Sequence, residues 1–453
     1  MGSAGGVLLH HVAGTIRGTV SVDEPIAGIQ TVAGGRGAVP YESAFEMTVP
    51  VDPAYADGIL VEADNRGAAL MVRSFSSHAG PLTTRHAGTP QPFPLRDGLS
   101  IASIQWQAGF AAGVPQGAQG IGEVIVRDFG RLLGGAFPAV RPASMPTFRQ
   151  RILGGVSQSA WFVDTFIAEG FNADPSDGRG VYQAAFLRNG NGAVLAINRF
   201  AGGGSQFPYL PTDLAPLTPA ELLAHPASDP LVADTSSYTD YFRLRASVFA
   251  RAPANRGLHR YATAAAHAPG GLVPADVVFG AMKCNGGVAV PLNPTSDGLY
   301  LRPILLGLAH AIGARTTGAK LPADAPFPLV PATPVLQFIA RLGDTPLWIP
   351  ALTADGTVSG GVPLLSARLP LGTPVPAALP PVDVGSITST CGNFSGWQPF
   401  TALELRRRYG SRTTYLALAR RLAGDDVAAG YLLARDVPSA IEELEALLPS
   451  SFD

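Results

Sequence analysis

Three residues in this chain have the types, order and settings to act together: a serine in a tight turn, a histidine at a strand end, and an aspartate between them. Ser157 lies in Gly155-Val-Ser-Gln-Ser159. The apolar run Ile152-Leu-Gly-Gly-Val precedes it, and Trp161, Phe162, Phe166 and Ile167 follow at helical spacing up to Gly170. This is close to the G-x-S-x-G pattern, in which a strand turns sharply into a helix with the serine at the apex. Such a turn strains the serine backbone and leaves room only for small neighbours. Gly155 meets that demand and Ser159 nearly does. The turn would present the hydroxyl at a helix N-terminus, where developing negative charge is stabilised, with the Gln158 N–H as one oxyanion donor. The plain alternative is a Gly/Ser turn in which Ser157 or Ser159 caps the helix.

A serine hydroxyl is a weak nucleophile. It needs an adjacent base, and the base needs a carboxylate to orient it. His267 directly follows the apolar strand Tyr261 to Ala266, so a loop would carry it to the C-terminal edge of a sheet. His259 precedes the same strand and would sit at the wrong end. Two acids lie between Ser157 and His267 in suitable settings. Asp234 ends the expected strand Leu231 to Ala233, and Asp240 opens the helix-like Tyr241 to Phe249. Both positions also suit a helix cap, and their chemistry alone does not separate them.

The elements that must hold these residues alternate. Thr15 to Val22 and Glu42 to Val49 read as strands of an N-terminal β-layer. Gly58 to Ala63, Gly98 to Ile104, Ile152 to Val156, Val181 to Leu187, Leu231 to Asp234 and Arg260 to Ala266 read as further strands. Ile121 to Leu133 and Leu299 to Ile312 read as helices. Strands separated by helices predict a mostly parallel sheet covered on both faces. The expected division is a β-layer over 1–55 and a core over 56–320 with an insertion at about 189–229. A Pro/Gly-rich segment and a helical tail follow over 321–453. The insertions at 189–229 and 315–400 are expected to roof the site.

Composition sets outer bounds. The 453 residues are 46% hydrophobic and 15% charged, with a formal net charge of −2. A sizeable core follows, and a predominantly disordered chain is excluded. Arg406 to Arg408 is the one run of three basic residues and reads as a solvated helix face. No nucleic-acid partner is expected from so weak an electrostatic footprint. No membrane insertion is expected, since about 18 consecutive apolar residues are nowhere present. The first twenty residues lack the charged start and apolar run of a signal peptide. A cytoplasmic location is favoured on that ground, with an exported mature form as the alternative. Cys284 and Cys391 read as free thiols, with a single bridge between them as the alternative. No metal or organic cofactor is implied, because neither a ligand cluster nor a phosphate-binding glycine motif stands out.

Taken in order, several segments resemble a branch of the α/β-hydrolase superfamily whose elbow reads Ser-Gln-Ser. Pro50 to Gly67, Gly98 to Gln107 and Gly155 to Asn172 are similar to stretches of that branch. So are Asp240-Tyr-Phe-Arg-Leu-Arg-Ala-Ser247, Leu301 to Leu306, Arg408 to Tyr415 and Leu432 to Val437, while His267 ends a stretch like its "R-x-Y-x-x-A-G-x-x-H". The likeness runs over nearly the whole chain. It implies an α/β-hydrolase fold with a central sheet flanked by helices, and an ester-hydrolase type of site. It favours Asp240 as the acid, since Asp240 stands where the family has Glu. Members with the acid nearer the strand end match Asp234 instead. A second oxyanion donor is implied in the loop Asp64-Asn-Arg-Gly67, from the N–H of Asn65 or Arg66, against a simple β-turn there. Trp106 is either a pocket wall or a core aromatic. The expected function is cleavage of a small-molecule carboxylic ester through an acyl-enzyme. The alternatives are a lactonase, acyl transferase or amidase with the same residues, or an inactive hydrolase fold that binds.

Overall fold

The structure is a computed structural model. It describes residues 2–4, 7–75, 93–142, 145–203, 216–268, 291–317, 320–333, 346–376 and 393–452. Cys284 and Cys391 lie outside the described residues, as do 204–215 of one expected roofing insertion and 318–319, 334–345 and 377–392 of the other.

Among the described residues the central sheet has nine strands: β1 (Gly2–Ala4), β2 (Val7–Ser21), β3 (Ala38–Pro50), β4 (Gly58–Ala63), β5 (Leu99–Ile104), β6 (Gln150–Val156), β7 (Ala184–Arg188), β8 (Leu231–Ser237) and β9 (Leu258–Thr263). Their order across the sheet is β1-β2-β3-β5-β4-β6-β7-β8-β9. Pairings from β5 through β9 are all parallel, while β1, β2 and β3 extend the sheet antiparallel. The N-terminal strands thus join the central sheet. Phe45 to Thr48 of β3 pair with Ile101 to Ile104 of β5, so the hairpin is continuous with the central sheet.

The parallel strands are buried on both faces, and their side chains alternate between two cores. Ile59, Val61, Ala102, Ile104, Leu153, Ala185 and Val232 face one core. The helices α1 (Ile121–Leu133) and α2 (Gln158–Ala168) pack there. Leu60, Ile101, Ile152, Phe186 and Ala233 face the other. That side is covered by α4 (Gly298–Ala311), α5 (Arg412–Ala428) and α6 (Val437–Leu447), which come after the short α3 (Asp240–Arg243) in the chain. A capped helix at Ala402–Tyr409 precedes α5 and α6. Among the described residues, no helix is long and apolar enough to cross a membrane.

In a parallel sheet every strand delivers its C-terminal end to the same edge, where the following loops gather. The loops after β4, β6, β7, β8 and β9 therefore meet.

Candidate active site

Ser157 stands between β6 and α2 with φ 55° and ψ −120°, outside the regions an L-residue adopts freely. Its neighbours explain how that conformation is held. The Ser157 N–H donates to the Arg188 carbonyl at 2.9 Å, and the Trp161 N–H donates back to the Ser157 carbonyl at 3.1 Å. A Cβ at Gly155 would lie 2.4 Å from the Ser159 carbonyl oxygen, so only glycine fits there. Ser159 replaces the second glycine of the pattern at no cost: its Oγ accepts from the Val156 N–H at 2.9 Å and so closes the turn. Neither serine caps α2 through its side chain. Ser157 is half-buried while its neighbours on both sides are buried.

His267 Nε2 lies 2.7 Å from Ser157 Oγ, and His267 Nδ1 lies 2.6 Å from Asp240 Oδ1. Asp240 lacks a proton to give, so Nδ1–H donates to it, leaving Nε2 to accept from the Ser157 hydroxyl. The His267 N–H donates to Thr239 Oγ1 at 2.8 Å, which fixes the ring's backbone beside the acid. Asp240 is 1% exposed. Burial pushes its carboxyl pKa up. His267 beside it, the Ser237 N–H and the Asn191 amide outweigh that and hold the carboxyl below the usual range.

Asp234 is elsewhere. Strand β8 runs on to Ser237, so Asp234 is a mid-strand residue rather than a strand end. Its Oδ1 accepts from the Asn191 N–H at 3.0 Å. Burial raises its pKa to about 7, and the charge of Asp240 adds to the rise. His259 pairs with Asp324 at 2.8 Å near the start of β9, away from Ser157.

The two oxyanion candidates differ in geometry. Gln158 is the first residue of α2, and its N–H belongs to the turn in which a helix leaves its donors without intrahelical acceptors. The Asn65 N–H instead donates to the Ala68 carbonyl at 2.8 Å, and Asn65 Nδ2 donates to the Val156 carbonyl at 2.6 Å. The donor role expected of the Asn65 N–H therefore does not fit. Asn65 ties the turn after β4 to the strand that carries the serine. Arg66, the other residue named in that loop, takes a left-handed φ of 50°. Trp106 belongs to the core: it is 1% exposed, stacks on Phe162 at 3.8 Å, and donates to the Asp64 carbonyl.

Several residues escaped the sequence reading. Glu62, next to last in β4, is buried, and its Oε1 accepts from the Leu70 and Met71 N–H groups. Arg188 and Asp297 form a buried ion pair at 2.6 Å, and Thr263 Oγ1 donates to the same aspartate. Asn189 and Asn191 both donate to Asp240 Oδ2. They open the segment expected as an insertion at 189–229. The turn signal Asn-Gly-Asn-Gly directly after a strand was the available clue. Among the described residues, no group of three His, Cys, Asp or Glu side chains could hold a metal ion.

Residues 113–442 match the family model described as alpha/beta hydrolase domain. No curated protein matches the chain. Solved structures similar to it include a carboxylesterase from Lactobacillus plantarum, at 13% identity over 68% of this chain and 100% of that one, with a TM-score of 0.32. An esterase from Pyrobaculum calidifontis is 11% identical over 55% of this chain and 75% of that one, with a TM-score of 0.27. A structure of fungal esterases from Rhizomucor miehei gives 8% identity, 58% and 78% coverage and a TM-score of 0.30.

Proposed function

The chain belongs to the alpha/beta hydrolase domain family, and from that premise we propose that it is a serine hydrolase cleaving a small-molecule carboxylic ester. The observation that carries this reading is the continuous line Ser157 Oγ, His267, Asp240, with separations of 2.7 and 2.6 Å, ending on a serine at positive φ. In the proposed reaction Ser157 Oγ attacks the ester carbonyl carbon as its proton passes to His267 Nε2. Asp240 stabilises the resulting imidazolium through the Nδ1–H bond. The Gln158 N–H and the positive end of α2 face the oxyanion. Collapse of the tetrahedral intermediate breaks the bond to the alcohol, which takes the proton from His267. Water, deprotonated by the same histidine, then attacks the acyl-enzyme, releases the acid and restores the serine.

Turnover of short p-nitrophenyl esters tests the reading. Wild type is expected to hydrolyse them with a burst of p-nitrophenol, the mark of an accumulating acyl-enzyme. Ser157→Ala should lose about a thousandfold or more in kcat. Equal rates in the two proteins would place the nucleophile elsewhere.

A further inference from the structure

The loop that follows β7 is built around one oxygen of Asp240. Asn189 Nδ2 lies 2.8 Å and Asn191 Nδ2 3.2 Å from Asp240 Oδ2, and the Ser237 N–H donates to the same oxygen at 2.8 Å. Oδ1 is left to face His267. The loop accepts backbone strain to do this: Asn189, Asn191 and Gly192 all have positive φ, at 66°, 60° and 68°. Non-glycine residues tolerate that region rarely, asparagine best among them. The strained loop is anchored on three sides. The Asn189 N–H donates to the Thr235 carbonyl, Trp161 Nε1 donates to the Asn189 carbonyl, and the Asn191 N–H donates to Asp234. Between them Gly190 has no room for a side chain, since a Cβ would lie 2.8 Å from Asp234 Oδ1 and 2.9 Å from Asp164 Oδ2.

We propose that Asn189 and Asn191 are positioning residues that act through Asp240, holding its carboxylate in the single orientation that presents Oδ1 to His267. The inference rests on the hydrolase reading for its kinetic consequence but not for its geometry. Without the two amides, Oδ2 keeps only the Ser237 N–H, and the carboxylate is free to turn about its Cβ–Cγ bond. His267 then loses its fixed tautomer and ring angle for part of the time.

Asn191→Gly removes the amide while glycine retains the positive φ, so side-chain and backbone effects separate. The expected result is a fall in kcat of about tenfold to a hundredfold, with KM little changed. In an Asp240→Asn background the same substitution should cost less than about twofold, because its effect passes through the missing carboxylate. Asn189→Gly should behave alike. Proton NMR gives a readout independent of turnover. The far-downfield resonance of the His267 Nδ1 proton should be present in wild type and shift or broaden in Asn191→Gly. An unmoved resonance, or the same fold-loss with and without the Asp240 carboxylate, would overturn the proposal. A wild type inactive on every ester would instead count against the hydrolase reading, with the resonance still deciding the clamp.

Discussion

At the scale of single residues, the site turns on which carboxylate meets the imidazole. Asp240 lies against His267 Nδ1, whereas Asp234 accepts a backbone N–H and carries a pKa raised to about 7. On the proposed mechanism Asp240→Asn should lower kcat by about a thousand- to ten-thousandfold, since an amide supports the wrong tautomer. Asp234→Asn should cost less than about tenfold, its amide still offering an oxygen to Asn191. Steady-state kinetics on one ester distinguish the two, and equal losses would contradict this assignment. The acid limb follows from the same contacts. Asp240 is held below the usual carboxylate range and stays ionised while His267 gains its proton. The kcat/KM profile should thus fall about tenfold per pH unit, with a slope of one. Ser157 and His267 were legible because turn chemistry and strand ends leave local marks in sequence. The carboxylate that meets His267 was not legible from its own surroundings: β8 runs four residues further than its apolar stretch, through Asp234, Thr235, Ser236 and Ser237. Buried polar residues with good hydrogen bonds look like loop when read one at a time. The resemblance separated Asp240 from Asp234 where spacing did not.

At the scale of elements, the loop after β7 and the helix α2 enclose a second pair of acids. Asp164 on α2 and Asp234 on β8 are fully or nearly buried, and both crowd Gly190. Burial raises both carboxyl pKa values, and Asp234 adds to the rise at Asp164. The charged groups acting on Asp234 are Asp240, which raises its pKa further, and Arg260, which lowers it. A carboxyl whose folded pKa lies above its unfolded one binds a proton more tightly in the folded state. Its stabilisation is complete below the ordinary carboxylate range and is lost as pH rises to about 7. Asp240 has the opposite sign, and its contribution disappears only in acid below the ordinary range. Between about pH 5 and pH 8, Tm of wild type should therefore fall as Asp234 ionises. Asp234→Asn should flatten that decline. Superimposable Tm curves for the two proteins would mean that Asp234 holds no proton in that range. None of this pairing was visible in sequence, because α2 and β8 are brought together only by the sheet order. The Asn-Gly-Asn-Gly run did announce a turn, but its use as a cradle for Asp240 depends on a residue about fifty positions later.

At the scale of the whole molecule, alternation of strands and helices predicted a mostly parallel, double-faced sheet, and the strands from β5 to β9 are so arranged. The N-terminal strands were read as a β-layer because their polar and apolar residues alternate. They extend the same sheet: β3 pairs with β5, and its Phe45 packs on Phe129 of α1. Sequence periodicity reports which face of a strand is buried and says nothing about its neighbour. The same architecture explains why residues from positions 157, 240 and 267 converge: each follows the C-terminal end of a parallel strand. Beneath them the buried Arg188–Asp297 pair joins the end of β7 to the start of α4, linking the site to the second core.

The central claim is that Ser157 is an activated nucleophile in the folded protein. Intact mass spectrometry after treatment with a fluorophosphonate, followed by peptide mapping, tests it without any knowledge of the natural ester. The account predicts one adduct per chain on Ser157, absent from Ser157→Ala and strongly slowed in His267→Ala. A folded wild type that takes no adduct, or takes it at another residue, would contradict it.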